Sequence, residues 1–296
     1  MTLLAVAGTV LSGCSSTLEN VKLTMAAGGK TGVYYALGNA LADIWSGRLG
    51  IARPQVVATA GSVDNVKRLV NGQADVGFSQ ADATDMVGAA KLRALARMHD
   101  DYLQIIVRAD VQAKTLRELG GLRVSIGEPS SGVELIANRV LESVKVTPNI
   151  LHLNLEASAR AMQEGRLDAF FWSGGLPTPQ ISMLTKSLGV RMLDLSADLP
   201  ALLEQYPVYG SATLPASTYE LTGGPVTTLV VRNFLLATES MSDEVAEALV
   251  RQLFTAQPEL VRANSAARTI ERRSAIETSP IPLHPGAMRY YRDIKV

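Results

Sequence analysis

The sequence contains few aromatic residues, a single cysteine and no excess charge of either sign. Aromatic residues make up 5% of the 296 residues, too few for a platform on which nucleic-acid bases stack. The 28 Lys and Arg residues equal the 28 Asp and Glu residues, which disfavours a general nucleic-acid binder, because such proteins carry a basic excess. No apolar run reaches the roughly 18–20 residues that a membrane-spanning helix needs. With 47% hydrophobic residues, the chain has enough apolar surface for two globular lobes.

Reactive side chains are also scarce. None of the three histidines is spaced as a metal-binding pair, and the sequence has no G-x-S-x-G nucleophile elbow. Two short carboxylate pairs are typical of solvated helix or loop positions. These residues are His99, His152 and His284, and the pairs Asp82/Asp85 and Asp100/Asp101. The sequence therefore predicts a binding protein that has no metal or cofactor and is not an enzyme.

A short apolar run lies near the N-terminus, over residues 3–13. It is too short to span a bilayer and ends in small residues, as a secretory signal does. Leu11-Ser12-Gly13-Cys14 resembles a bacterial lipobox, in which the cysteine is lipid-modified and becomes the new N-terminus. The alternative is an incidental cysteine in a core strand. The first interpretation predicts a signal peptide and tether over residues 1–20, and a periplasmic protein anchored to a membrane by lipid at Cys14.

From residue 21 onward, short strands alternate with amphipathic helices. A strand over 21–26 is followed by a glycine-rich turn and a helix that begins at Val33, and this order recurs with strands over 55–59 and 75–79 and a helix over 63–70. The first helix has its apolar residues three to four positions apart, as one buried face requires. Those residues are Leu37, Leu41, Ile44 and Trp45. The pattern predicts an α/β fold in which each lobe has a mainly parallel sheet flanked by helices.

The pattern of the first lobe recurs later in the chain. Gly32-Val33 and Leu41 are matched by Gly132-Val133 and Leu141, at an offset of 100 residues. A second match keeps glycine, aspartate and phenylalanine at the same internal spacing, and joins Gly72–Ser79 to Gly165–Ser173. The repeat predicts two similar lobes.

The repeat also predicts how the chain is divided. Lobe I is expected over residues 21–107 and lobe II over 108–225. Residues 226–296 are too few for a third lobe and are expected to complete lobe I. They are predicted to form a strand over 226–231 and helices over 243–256 and about 259–274.

Four turns that combine glycine with hydroxyl or amide groups are predicted to face the crevice between the lobes. Helix N-termini at such turns attract anions, because their backbone N–H groups are free to donate. The alternative is that the serines in these turns only cap helices. The turns are Gly28–Gly32, Ala60–Ser62, Glu128–Gly132 and Ser173–Gly175.

The first of these turns leaves three side chains with two interpretations each. Lys30 either supplies an ammonium group to an anionic ligand or points into water. Tyr34 and Tyr35 either pack in the core or reach the ligand. Gly29-Lys30-Thr31 is not part of a nucleotide-binding P-loop, because Thr24 stands where that motif requires a glycine.

An ordered set of motifs over about residues 21–296 resembles the TAXI-type solute receptors of TRAP transporters. The first motif is Gly28-Gly29-Lys30-Thr31-Gly32-Val33-Tyr34-Tyr35, although the family more often has a small residue in place of Lys30. The later motifs are Ala60–Asn65, Gly72–Asp82, Gly127–Glu134, Gly174–Pro179 and Pro282–Tyr291.

The resemblance implies a two-lobed type II periplasmic binding protein that closes over a small solute. Such a receptor delivers its solute to a TRAP permease driven by an ion gradient, and family members are associated with glutamate-like amino acids and dicarboxylates. Hinge strands are expected near Ile105–Arg108 and Thr227–Val231. The ligand-binding residues are expected to be Gly29, Lys30, Thr31, Gly32, Tyr34, Tyr35, Ser62, Gln80, Ser130, Ser131, Gly132, Trp172, Ser173 and Gly174.

The same scaffold leaves other functions open. Because a fold does not determine function, a ligand-sensing input protein for a signalling system, a secreted enzyme and a scaffolding lipoprotein are alternatives. The transport interpretation predicts an acidic small molecule, a membrane permease and the membrane itself as partners, and no nucleic acid.

Overall fold

The computed structural model describes residues 18, 20–85, 89–221 and 224–296, in which strands and helices alternate along most of the chain. The strands are β1 (Thr24–Ala26), β2 (Gln55–Val57), β3 (Val76–Gln80), β4 (Leu92–Arg108), β5 (Arg123–Ser125), β6 (Asn149–Leu151), β7 (Ala169–Gly174), β8 (Val190–Met192), β9 (Tyr209–Leu214) and β10 (Val226–Thr238). The helices are α1 (Val33–Leu49), α2 (Ser62–Val70), α3 (Gly132–Ser143), α4 (Leu155–Gln163), α5 (Pro179–Ser187), α6 (Leu199–Gln205), α7 (Asp243–Thr255), α8 (Gln257–Ala263) and α9 (Pro285–Asp293).

The sheet has the strand order β2-β1-β3-β10-β4-β7-β5-β6, with β8 beside β4 and β9 beside β10. In the first lobe, β1 pairs in parallel with β2 and β3, and in the second lobe β5 pairs in parallel with β6 and β7. The antiparallel pairs all involve β4 or β10, the two long strands that run through both lobes. The two-lobed α/β fold is therefore confirmed, while the exact residues at which the lobes divide stay a prediction.

The two long strands exchange neighbours near their middles. β4 pairs with β7 only from Tyr102 onward, and β10 pairs with β3 from Asn233 onward. The register between β4 and β10 is irregular between Arg232 and Phe234, where the strands pass from one lobe to the other. The crossing of β4 thus lies before Tyr102, earlier than the expected segment Ile105–Arg108, because the β7 partner already occupies that segment.

Helix α1 packs its predicted apolar face against the sheet and against α7. Leu37, Leu41, Ile44 and Trp45 are all buried. The Trp45 indole N–H donates to the Leu249 carbonyl oxygen at 3.2 Å, which satisfies its one polar group inside this core. The helix begins where the sequence predicted, at Val33.

The expected long helix over about 259–274 is wrong, because α8 ends at Ala263. The side chain of Asn264 accepts a hydrogen bond from the backbone N–H of Ala266 at 2.9 Å. This cap begins a separate 3₁₀ segment over Ser265–Thr269, so the helical periodicity of the sequence is interrupted there.

Within the described ranges, no helix is both long enough and apolar enough to cross a membrane. Cys14 and the predicted signal peptide lie outside the described residues.

Candidate functional site

A cavity of about 120 Å³ lies between the two lobes. Each of the four predicted glycine and hydroxyl turns contributes to its wall, through residues such as Gly29, Gly61, Ser131 and Ser173. For comparison, an apolar cavity of about 150 Å³ holds a benzene molecule. The lobes as arranged here therefore enclose space for a small solute.

Four helices begin at this cavity. Gly32, Gly61, Ser131 and Asn154 are the residues that precede α1, α2, α3 and α4, and all four line it. Ser131 and Asn154 cap their helices through side-chain oxygens, whereas the two glycines provide no side-chain cap. The first backbone N–H groups of α1 and α2 consequently have no side-chain acceptor, and each helix N-terminus favours a negative charge by about 0.3–1 kcal/mol.

The lobes touch each other around the cavity. The backbone N–H of Asp64 donates to the Ser130 carbonyl oxygen at 3.0 Å, and the Lys67 ammonium group donates to the Ser130 hydroxyl at 3.2 Å. The Gln80 amide donates to the Ser173 hydroxyl at 2.7 Å. These hydrogen bonds join α2 and β3 of the first lobe to the turn before α3 and to β7 of the second lobe.

Beside the cavity, the crossing strands carry a buried polar network. Asp101 on β4 lines the cavity with 4% of its surface exposed, and its Oδ2 accepts from Gln80 Nε2 at 3.0 Å. Nε2 of His99 lies 3.3 Å from Asp101 Oδ1 without hydrogen-bond geometry. Asn233 on β10 donates to the His99 carbonyl oxygen at 3.2 Å and accepts from the Tyr34 hydroxyl.

Tyr34 combines the two roles that the sequence left open. Its ring stacks on Phe78 with the centroids 5.2 Å apart, and the residue also lines the cavity. Burial of the hydroxyl raises the pKa of Tyr34 well above its ordinary value, and the negative charge of Asp101 raises it further. The phenol therefore stays protonated and donates a hydrogen bond at ordinary pH.

Most of the predicted ligand-binding residues lie together at the cavity. They are Gly29, Thr31, Gly32, Tyr34, Ser62, Gln80, Ser131, Gly132, Trp172, Ser173 and Gly174. Their assignment as ligand-binding residues stays a prediction, but the fold brings them to one place.

Three predicted ligand-binding residues lie outside the cavity wall. Lys30 is exposed at the tip of the first turn. Tyr35 is partly buried and packs against the core beneath α1. Ser130 adopts φ 65° and uses its hydroxyl and carbonyl groups on Lys67 and Asp64. Of the two interpretations for Lys30 and Tyr35, water for the lysine and core packing for the tyrosine match this arrangement.

Sequence reasoning missed three polar residues of the wall, Asp101, Glu128 and Asn154. Asp101 was expected to be solvated, and so was Asp82, yet both are buried. A carboxyl in the middle of a 17-residue, largely apolar strand was the available signal for Asp101. Asn154 follows a strand and precedes a helix, which is the N-cap pattern seen at the other turns.

The charges at the wall are acidic. Asp101 and Glu128 line the cavity, and among the described lining residues none is a lysine or arginine. The described residues also contain no cluster of three or more histidine, cysteine or acidic side chains that could hold a metal ion. Positive potential at this site comes from the helix N-termini.

Solved structures with the same fold are solute-binding proteins of the periplasm or their relatives. The aliphatic sulphonate binding protein SsuA of Escherichia coli is 17% identical, with 92% of this chain and 82% of that chain covered and a TM-score of 0.51. A TctC solute binding protein from Polaromonas is 16% identical, covering 95% and 99%, with a TM-score of 0.51. A protein of Bordetella bronchiseptica is 18% identical, covering 94% and 90%, with a TM-score of 0.56.

These likenesses are all below 20% identity, so they show the shared architecture of two lobes around a cleft and leave the ligand open. A family model extends the match to sequence. It covers residues 25–294, which include both lobes and every helix that begins at the cavity. The chain belongs to the NMT1-like family.

Proposed function

We propose that this protein is an extracytoplasmic solute receptor, and not an enzyme, that binds a small acidic organic solute between its lobes. The observation that carries the proposal is the convergence of four helix N-termini on one cavity. Backbone N–H groups at helix N-termini bind carboxylates and other anions without a charged side chain. The ligand classes that fit are glutamate-like amino acids and dicarboxylates.

Two further considerations support a receptor. The chain has the fold of SsuA and TctC, which are binding proteins, and its family covers both lobes. The motifs around Gly28–Tyr35 and Pro282–Tyr291 resemble TAXI receptors, so the partner proposed here is a TRAP permease that uses an ion gradient. Uptake by cells that carry both proteins should stop when an ionophore collapses the gradient.

Charge reversal at the first helix N-terminus tests the anion-binding role. Thr31 is exposed, lines the cavity and precedes α1, so Thr31→Glu should leave the fold intact, since an acidic side chain is favourable at a helix N-terminus. It should weaken binding of glutamate, 2-oxoglutarate or succinate by about tenfold to hundredfold in calorimetry. The neutral control Thr31→Gln has nearly the same size and should bind much more tightly than Thr31→Glu. Equal affinities of the two variants would contradict an anionic ligand.

The proposed location is the periplasm, with a lipid anchor at Cys14. Expressed from its native start, Cys14→Ser should move the protein from the membrane fraction to the soluble periplasmic fraction. A single acyl chain holds a protein only weakly, so the anchor should carry at least two. An unmodified, uncleaved native chain in the soluble fraction would contradict this location.

A further inference from the structure

The cavity wall contains a buried carboxyl whose charge has no matching cation. Asp101 is 4% exposed, and the described lining residues include no lysine or arginine. Its Oδ2 accepts from Gln80, but Oδ1 has no hydrogen-bond donor among the described residues. Burying a charged group without a partner is costly, so such a site favours a positively charged ligand group.

The neighbouring side chains cannot supply the missing donor. Both N–H groups of the Gln80 amide are already used, one on Asp101 and one on Ser173, and its Oε1 also lacks a donor. The Tyr34 hydroxyl donates to Asn233. His99 Nε2 is 3.3 Å from Oδ1 but is not oriented to donate to it. The wall therefore presents two buried acceptor atoms, Asp101 Oδ1 and Gln80 Oε1, that lack donors.

We propose that Asp101 is a specificity-determining residue that binds the ammonium group of an α-amino acid. An ammonium group carries three donors and a positive charge, which matches the carboxylate and the carboxamide oxygen of Gln80. The carboxylate of the same ligand binds at the helix N-termini on the opposite side of the cavity. The inference rests on the proposed function and narrows its two ligand classes to the zwitterionic one.

Pairs of acids that differ in one group test the inference. L-Glutamate with 2-hydroxyglutarate, and L-alanine with L-lactate, have equal numbers of non-hydrogen atoms and differ in an ammonium or a hydroxyl group. In calorimetry, the native chain should bind the amino acid of a pair about tenfold to hundredfold more tightly, the range for a hydrogen bond to a charged group.

The substitution Asp101→Asn should remove most of that preference, because it keeps the shape and an acceptor for Gln80 but removes the negative charge. Binding of the hydroxy acid should change little or improve. Asp100→Asn is the matched control: Asp100 is adjacent on β4, is paired with Arg97 at 3.0 Å and does not line the cavity. It should keep the native preference.

The outcomes separate the inference from the proposed function. If the native chain binds a hydroxy acid as tightly as its amino acid, the inference is wrong and the acidic-solute receptor stands. If Asp101→Asn weakens both members of a pair equally, Asp101 only positions Gln80 and His99, and its role in specificity is refuted. If no member of either pair binds to the native chain, both the inference and the proposed acidic ligand are refuted.

Discussion

Asp82 is a fully buried carboxyl that joins the two lobes beside the cavity. Its Oδ2 accepts from the Tyr209 hydroxyl at 2.7 Å and lies 4.0 Å from Arg139, while its Oδ1 has no donor among the described residues. Burial raises the pKa of Asp82 to about 6, against the opposing effects of the Tyr209 hydrogen bond and the Arg139 charge. The folded chain thus holds a proton on Asp82 more tightly than the unfolded chain does.

This shift predicts a pH-dependent stability. The stabilisation from protonated Asp82 is complete below pH 3.8, the ordinary value of its pKa, and is lost as the pH rises through about 6. Asp82→Asn removes the titrating group and keeps an acceptor for Tyr209. The unfolding free energy of the variant, relative to the native chain, should rise between pH 4 and pH 7 by up to about 3 kcal/mol.

Urea unfolding at several pH values measures that difference. Asp85→Asn is the matched control, because Asp85 is exposed, lies on the same 3₁₀ turn and also pairs with Arg139, at 3.4 Å. A difference between Asp82→Asn and the native chain that does not change with pH would show that burial does not shift this pKa.

At the scale of elements, α9 packs against α7 through one glycine. A Cβ atom at Gly286 would lie 2.1 Å from the Asp243 carbonyl oxygen and 2.9 Å from the Asp243 Cα. His284 caps the same helix: its Nδ1 accepts from the Gly286 N–H at 3.1 Å, and its Nε2 is 3.0 Å from the Met241 carbonyl oxygen. The start of α9 is thereby fixed against backbone that cannot retreat.

Gly286→Ala should therefore destabilise the protein by roughly 1–3 kcal/mol or more, because the two helices must separate. The same change at Gly47 should have the opposite sign. Gly47 is exposed within α1, with open space around it, so alanine should stabilise the helix by about 0.5–1 kcal/mol. Thermal unfolding of the two variants measures both effects. A Gly286→Ala protein as stable as the native chain would contradict the close packing of α9 on α7.

Local patterns predicted the elements better than they predicted side-chain directions. The face of α1 and the four turns at the cavity depend on spacing within a few residues, which the sequence displays directly. Whether Lys30 points to the cleft, and whether Asp101 is buried, depends on which strands pair across the lobes. β4 lies between β10 and β7, partners that are distant in sequence, and no local pattern reports that pairing.

For the whole molecule, Gly132 controls how closely the lobes approach. A Cβ atom there would lie 2.0 Å from Gln80 Oε1 and 2.9 Å from the Ser62 hydroxyl, both on the opposite lobe. Gly132→Ala should hold the lobes apart, because opening the cleft relieves the clash at lower cost than deforming either lobe. The variant should have a larger radius of gyration and bind the solute at least about tenfold more weakly.

Small-angle scattering and calorimetry on the same samples test this expectation, with Gly47→Ala as the control for a glycine-to-alanine change away from the cleft. Native affinity and native scattering curves for Gly132→Ala would show that the lobes do not need this contact to close.

The position of β10 has a consequence for the order of synthesis. This strand lies between β3 and β4 at the centre of the sheet, yet it is residues 226–238 of 296. Until the ribosome has made it, β3 and β4 have no common neighbour, and the first lobe has a gap where its central strand belongs. Pairing between segments so far apart along the chain is slow to form. We therefore expect the nascent protein to stay unfolded until most of it has been translated, a state that suits passage through a membrane as an extended chain.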